Sequence, residues 1–310
     1  MKFNQSNIKK AKKYLDKNYC IGVPTETVYG LAANAYSNYA VKKIYRLKKR
    51  PKSNPLIVHY PNIKSLKKDC LLNNNFLKLY KKFSPGPITY ILNLQKNSKI
   101  SKTVTNNQKN LAVRLPKHKM FRELLKKLNY PLAAPSANIS SRLSAVQALD
   151  VKEEFGNKIK FILDGGKCKV GIESTIIDLT NKPIILREGK ITSEKIYQII
   201  RKKVHIKKKI KNIKSPGQFK FHYSPGIPVY MNKNKPKKGG AFIIFGKKPK
   251  SGKNYFNLSK SNNLNEAANN LYKTMRNIKK LKYKSISVCK IPSSGLGNAI
   301  NDRLKKASYK

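Results

Sequence analysis

The chain has few acids, few cysteines and no long apolar run. Four cysteines (Cys20, Cys70, Cys168 and Cys289) are spread over 310 residues without a CxxC pair. That spacing argues against a zinc knuckle or a disulfide framework and leaves them as buried or incidental thiols. The longest apolar runs, such as Ala241 to Phe245, are strand-sized and far below the roughly 20 residues of a membrane helix. The opening MKFNQSNIKK leads into an amphipathic pattern rather than a signal-peptide core, so a cytoplasmic protein is expected. Only 14 residues are Asp or Glu against 68 Lys or Arg, for a formal charge of +54. Such a field attracts any polyanion, and one reading is a nucleic-acid binder held by phosphate contacts. The competing reading is compositional bias, because the lysines are scattered with asparagines over nearly every expected surface. The 39% apolar content suffices for a core of normal size and excludes a disordered tail protein.

Some segments escape the bias. Tyr19 to Val41 contains no lysine or arginine, and Leu128 to Val151 contains only Arg142, so these stretches are core or site. Apolar spacing predicts a helix capped by Ser6 with Ile8, Ala11 and Leu15 on one face, then a strand over Cys20 to Pro24 and a Thr-rich turn. Val41, Ile44, Tyr45 and Lys48 fall on one helix that must stop before Pro51. Strands are expected at 55–60, 88–94, 111–115, 131–134, 161–163, 175–179 and 183–186, with helices at 76–83, 121–128 and 193–203. The interleaving predicts an α/β fold with a largely buried sheet. A basic stretch ending in Ser215-Pro216-Gly217 reads as a linker. Beyond it, strands at 228–231, 240–245 and 285–291 and helices through Leu264–Met275 and Leu296–Leu304 make a second, smaller α/β unit.

Three polar clusters follow expected strands or helices, where α/β sheets bind ligands. GVPTETVYGLA, from Gly22 to Ala32, brings hydroxyls and an acid to a strand end, and fits an ordinary turn as well as a site. LKKRPKSNPL places Lys48 and Arg50 at a helix end and Asn54 before a strand. The cations would offset the helix terminus or meet a triphosphate. APSANIS, from Ala134 to Ser140, offers short hydroxyl and amide groups and a backbone anion nest. Arg114 lies among apolar neighbours in LAVRLP and needs an anion, either an internal carboxylate or a bound one.

PTETVYGL, LKKRPKSNPLIVH, SPGPITYIL, LAVRLP, APSANIS, GIESTIIDL and ILREG occur in this order, and the set resembles the YrdC-like threonylcarbamoyl-AMP synthase family. SPGQFKFHYSPG followed by GLGNAINDRL resembles the linker and C-terminal domain of its long form, so nearly the whole chain is covered. The resemblance implies a twisted mixed-sheet catalytic domain over 1–204, a linker or lid over 205–226, and a Rossmann-like α/β domain over 227–310. It implies condensation of L-threonine, bicarbonate or CO2 and ATP to threonylcarbamoyl-AMP and pyrophosphate, with hand-off to a tRNA threonylcarbamoyl transferase. Lys48, Arg50, Ser136 and Asn138 match the catalytic and nucleotide-binding group. Threonine binding carries over to Thr27, His59, Arg114, Ala134 and Ser174, and ATP contacts to Arg50, Asn54, Asn110, Ser136, Ser144, Arg187 and His222. Mg2+ would ride on the phosphates without a dedicated protein cage. The family pattern is broken at Ser141, where glycine is usual, at Glu188, where proline is usual, and at Gln218, where methionine is usual. The carbamoyl-adenylate branch of the fold would bring CxxC pairs and an acylphosphatase region, which this sequence lacks. The alternative of another class is a double-stranded RNA or tRNA-binding module without catalysis, or weak tRNA affinity beside the enzyme activity.

Overall fold

The spacing of apolar residues is realised as helices that each bury one stripe. The computed structural model describes residues 5–202, 204–206, 214–217, 221–247 and 252–309. In it, α1 (Gln5–Asp16) buries Ile8, Ala11 and Leu15. Ser6 lies in the first turn of α1 rather than at its cap, because the helix already begins at Gln5. The Ser37 hydroxyl caps α2 (Asn38–Lys48) by accepting from Ala40 N, and Lys49 at φ 50° ends it ahead of Pro51. Short α3 (Ile63–Lys67) precedes α4 (Asn74–Phe83), which Asn73 caps in the same manner. The remaining helices before residue 205 are α5 (Lys102–Thr105), α6 (Lys119–Lys126), α7 (Ala148–Phe155) and α8 (Ser193–Ile200).

Nine strands form one mixed sheet: β1 (Ile21–Val23), β2 (Gly30–Asn34), β3 (Ile57–His59), β4 (Ile88–Asn93), β5 (Asn110–Arg114), β6 (Leu132–Ala133), β7 (Thr175–Asp178), β8 (Ile184–Arg187) and β9 (His205–Ile206). Their spatial order is β1-β2-β6-β3-β5-β4-β7-β8-β9. The parallel pairs are β3/β5, β4/β7 and β8/β9. Two expectations differ. Gly30–Asn34 is a strand antiparallel to β1 rather than part of the turn. Residues 161–163 make only a single bridge, Gly22 to Ile162, so no full strand forms there. Beyond the connector, β10 (Val229–Tyr230), β11 (Ala241–Ile244), β12 (Tyr255–Asn257) and β13 (Ile286–Val288) form a parallel sheet in the order β10-β13-β11-β12. It packs with α9 (Leu264–Lys280) and α10 (Leu296–Ser308).

One face of the large sheet is closed by the main core, to which β5 gives Leu111 and Val113, and the residue after it Leu115. The other face carries two separate apolar clusters. One contains Ile8, Leu15, Phe121 and Leu124 under α1 and α6; the other contains Ile57, Ile91, Ala112, Ile176 and Leu186.

The second unit is fastened to the first with much of the scarce acid. Arg276 of α9 meets Glu154 at 3.2 Å and Asp150 at 3.8 Å, Lys280 meets Glu153 at 2.6 Å, and Arg303 of α10 meets Glu173 at 3.1 Å. Gly171 allows α9 to approach this closely: its φ is +82°, and a Cβ there would lie 2.4 Å from the Asn269 Cα.

Candidate active site

Strand alternation decides which side chains meet. Because Leu111 and Val113 of β5 enter the main core, Ala112 and Arg114 must face the other side. Arg114 therefore emerges beside His59, its register partner on β3. The turn between β1 and β2 is braced by Thr25, whose hydroxyl accepts from Thr27 N (3.1 Å) and Val28 N (3.2 Å). That brace brings Thr27 and Glu26 to Arg114. Nη1 donates to the Thr27 hydroxyl (2.8 Å), Nη2 to Glu26 Oε1 (2.7 Å) and Nε to Gly86 O (3.3 Å). The internal carboxylate left open by the sequence is thus Glu26. Three of the five guanidinium N–H groups are used in these bonds.

The cavity beside Arg114 lies on this face and holds about 40 Å³, room for a few waters. Thr27, Arg50, His59, Arg114, Ala134, Ser136, Ser174, Arg187 and His222 all line it. These nine expected residues come from seven separated segments. Pro216, His222 and Tyr223 reach it from the connector. Gly217 lies against Arg187: a Cβ there would stand 3.0 Å from Arg187 Cδ.

The lining is cationic and buried. Arg50 is fixed by donating Nε to Asn54 O (3.0 Å) and Nη2 to Pro55 O (2.9 Å). Burial, with Arg187 nearby, lowers its pKa to about 10. Arg187 donates to Ser174 O (3.0 Å) and to the Ser174 hydroxyl (3.2 Å), which is itself 2.7 Å from the Thr89 hydroxyl. Burial and then Arg114 push His59 down to about 3, so its ring is neutral. Its Nδ1 is buried without a hydrogen-bond partner among the described residues. Burial likewise lowers His222 to about 3, with Glu173 opposing and Arg50, Lys48 and Lys306 adding to the shift.

Five expected residues stand behind the lining instead of in it. Lys48 donates Nζ to the carbonyls of Ser136 and Asn138, so it pins the APSANIS loop from beneath. Burial, then Arg50, holds its pKa well below the usual value. Asn138 ties the loop shut by donating to Ile139 O and Arg142 O, and Asn54 lies under Arg50. Ser144 is turned away, its hydroxyl donated to Glu173. Asn110 sits at the far end of β5 from Arg114, opposite Asn93. Among the described residues, no three His, Cys, Asp or Glu side chains converge as metal ligands.

Comparison with known proteins decides the lineage. The family model described as Telomere recombination, which joins Sua5, YciO and YrdC, matches residues 13–189, and that of the threonylcarbamoyl-AMP synthase C-terminal domain matches residues 191–308. The chain belongs to the Sua5/YciO/YrdC family. It is 34% identical to the threonylcarbamoyl-AMP synthase of Pyrococcus abyssi, over 97% of this chain and 94% of that one. With the synthase of Bacillus subtilis it shares 35%, over 98% and 94%. A crystal structure of P. abyssi Sua5 complexed with L-threonine superposes with a TM-score of 0.91 at 32% identity, covering 99% of this chain and 96% of that one. The mixed-sheet α/β fold with a second parallel-sheet unit is therefore that of the two-domain synthases.

Sequence reasoning assigned no specific role to several residues around the cavity. Glu26 and Glu173 line or brace the cavity, and Tyr223 closes it. Glu26 had a signal, as an acid inside a lysine-free stretch. Glu173 and Tyr223 lay next to selected residues, but their partners, Tyr272 and Arg303, come from the other unit. Glu188, which stands where the family usually has proline, is half-buried and accepts from Arg303 through its carbonyl. Gln218 lies outside the described residues.

Proposed function

We propose that this chain condenses L-threonine, bicarbonate-derived CO2 and ATP into threonylcarbamoyl-AMP and pyrophosphate, for modification of adenosine beside the tRNA anticodon. The observation that carries the reading is the convergence of Arg50, Arg114, Arg187, His59 and Ser174 on one cavity, in a chain aligned over 97% and 98% of its length with named synthases. The two guanidinium N–H groups of Arg114 not used by Thr27, Glu26 or Gly86 take the threonine carboxylate. Neutral His59 offers its unpartnered Nδ1 to the threonine hydroxyl or amine. The threonine amine bonds to CO2 and loses a proton, and a carbamate oxygen attacks the α-phosphorus of ATP. The bond to the bridging oxygen breaks, and pyrophosphate leaves.

Catalysis here is positioning and charge stabilisation. Arg50, Arg187 and the amides and hydroxyl of the Ser136 loop face the phosphates, while Lys48 and Asn138 fix that loop. Mg2+ does not fit a protein cage here, because Glu173 in the lining and Glu26 beside it are already bound by Arg303 and Arg114. It fits as part of the ATP complex, neutralising phosphate oxygens and keeping its waters.

We assign residues 1–204 to catalysis, 205–226 to a connecting cover and 227–310 to a supporting domain. Pro216, His222 and Tyr223, which line the cavity from the connector, would cover bound ATP and shield the labile adenylate from water. We further propose a cytoplasmic site of action and delivery of the adenylate to a tRNA threonylcarbamoyl transferase. A bare RNA-binding module is disfavoured by burial of the arginines: Arg50, Arg114 and Arg187 are 8%, 4% and 5% exposed, out of reach of a duplex.

The test is incubation with ATP, Mg2+ and bicarbonate, with and without L-threonine, following pyrophosphate and the mass of new adenylates. Threonine-dependent pyrophosphate with a threonylcarbamoyl-adenylate mass is expected. Folded protein that gives neither, yet responds to carbamoyl phosphate or duplex RNA, would overturn the assignment.

A further inference from the structure

Glu173 is a carboxylate in the wall of a site built to bind polyanions. It lies immediately before Ser174, which holds Arg187, and it is 5% exposed. Unopposed, its charge would repel a triphosphate and draw Arg187 toward itself. Among the described residues its side-chain donors are Ser144 of the first unit, Tyr272 of α9 at 3.1 and 3.2 Å, and Arg303 of α10 at 3.1 Å. Two of these three come from the second unit.

Arg303 also reaches the other flank of Arg187. Its Nη1 donates to Glu188 O at 2.7 Å, and its guanidinium lies 5.4 Å from the centre of the Tyr223 ring. Its side chain is fully buried, so it is not a ligand for substrate. One turn further along α10, Lys306 donates to Gly217 O at 2.9 Å and its carbonyl accepts from His222 N at 3.3 Å. The same helix therefore touches the residue after Arg187, the acid before Ser174, and Gly217 and His222 of the cover.

We propose that Arg303 and Tyr272 are positioning residues of the nucleotide site: they neutralise and fix Glu173 from the C-terminal unit, leaving Arg187 directed at ATP. This rests on the synthase reading for the identity of the nucleotide. It makes the second unit a part of the active site's electrostatics as well as the anchor of its cover. Burial alone would raise the Glu173 pKa, but Arg303, then Arg187 and the Ser144 hydroxyl, outweigh it and bring it to about 2. Glu173 is therefore charged at neutral pH and needs its partner.

The experiment compares full-length wild type, Arg303→Met, Tyr272→Phe and the double variant Glu173→Gln/Arg303→Met. Calorimetry gives Kd for ATP and for L-threonine, and steady-state assays give KM and kcat. Arg303→Met should raise Kd and KM for ATP by about tenfold or more while leaving threonine Kd within about twofold, and the double variant should recover most of the loss because the orphaned charge is gone. Tyr272→Phe removes one hydroxyl and should weaken ATP by about threefold. A double variant no better than Arg303→Met, or an Arg303→Met protein with unchanged ATP affinity, overturns the proposal. If Arg303→Met does not fold, the double variant and Tyr272→Phe carry the same test. A wild type without threonine-dependent pyrophosphate would defeat the synthase reading, while its ATP affinities would still decide the brace.

Discussion

Arg114 is held by the fold and also lines the cavity, so the proposed threonine contact and the local structure rest on one side chain. Its guanidinium satisfies Glu26, Thr27 and Gly86, and the same rigidity aims its remaining donors into the cavity. Arg114→Ala should abolish threonine binding by calorimetry and cost roughly 3–5 kcal/mol of stability, because Glu26 is left buried and unpaired. Near-normal threonine-dependent activity would make the arginine purely structural. The histidines give a pH prediction. His59 and His222 are held near 3 in the folded chain, against 6.5 when free. The unfolded chain therefore binds extra protons between those values, and stability is greatest above pH 6.5 and falls as pH drops toward 3. Each histidine contributes a slope of about 1.4 kcal/mol per pH unit within that window. Glu173, lowered from 4.5 to about 2, contributes fully above pH 4.5 and loses that contribution as pH falls from 4.5 toward 2. Urea midpoints should already fall on moving from neutral to mildly acidic buffer; a flat response would mean that the two rings are not kept neutral.

At the scale of elements, the loop from Pro135 to Ser141 depends on support from helix α2. Lys48→Met leaves the Ser136 and Asn138 carbonyls without their ammonium, at roughly 1–3 kcal/mol for each buried acceptor. Nucleotide turnover should drop by more than about tenfold while threonine Kd holds, as Arg114 and His59 are untouched. Loss of threonine affinity to the same degree would mean that Lys48 supports the whole site. The same loop ends at Ser141 with φ +69°, a left-handed conformation that explains why the family usually has glycine there. Ser141→Gly should raise stability by about 1 kcal/mol in denaturant melts, since the hydrogen bond from Ser224 N to its backbone carbonyl is kept. A loss instead would mean that the serine side chain has a role.

Across the whole molecule, charge is distributed by function. Asp150, Glu153, Glu154 and Glu173 meet cations of α9 and α10 across the junction of the two units, so a protein of +54 spends much of its scarce acid on joining its parts. The unpaired surplus is expected to bind tRNA loosely. By filter binding or anisotropy the affinity should fall by about 10³-fold between roughly 50 and 200 mM salt. Retention at the higher salt would reveal a specific RNA site and defeat compositional bias as the account of the lysines.

The sequence by itself determined the order of most elements and the motifs that reach the site. The reason is local: apolar period, caps and prolines act over a few residues, and Ile8, Ala11 and Leu15 or Leu111 and Val113 announce their buried faces without help. Helix α7 was not legible, as its Asp150 and Glu154 turn toward the second unit and mask its apolar stripe. Strand β2 was hidden for a similar reason, since Gly30 to Asn34 is held by its neighbours β1 and β6 rather than by propensity. The tertiary structure alone decided that Glu26 pairs with Arg114, that Lys48 holds the loop from behind the cavity, and that Arg303, 130 residues beyond Glu173, pairs with that acid. Buried charges find partners through the fold and not along the chain, so their pairing cannot be read before the sheet and the two units have come together.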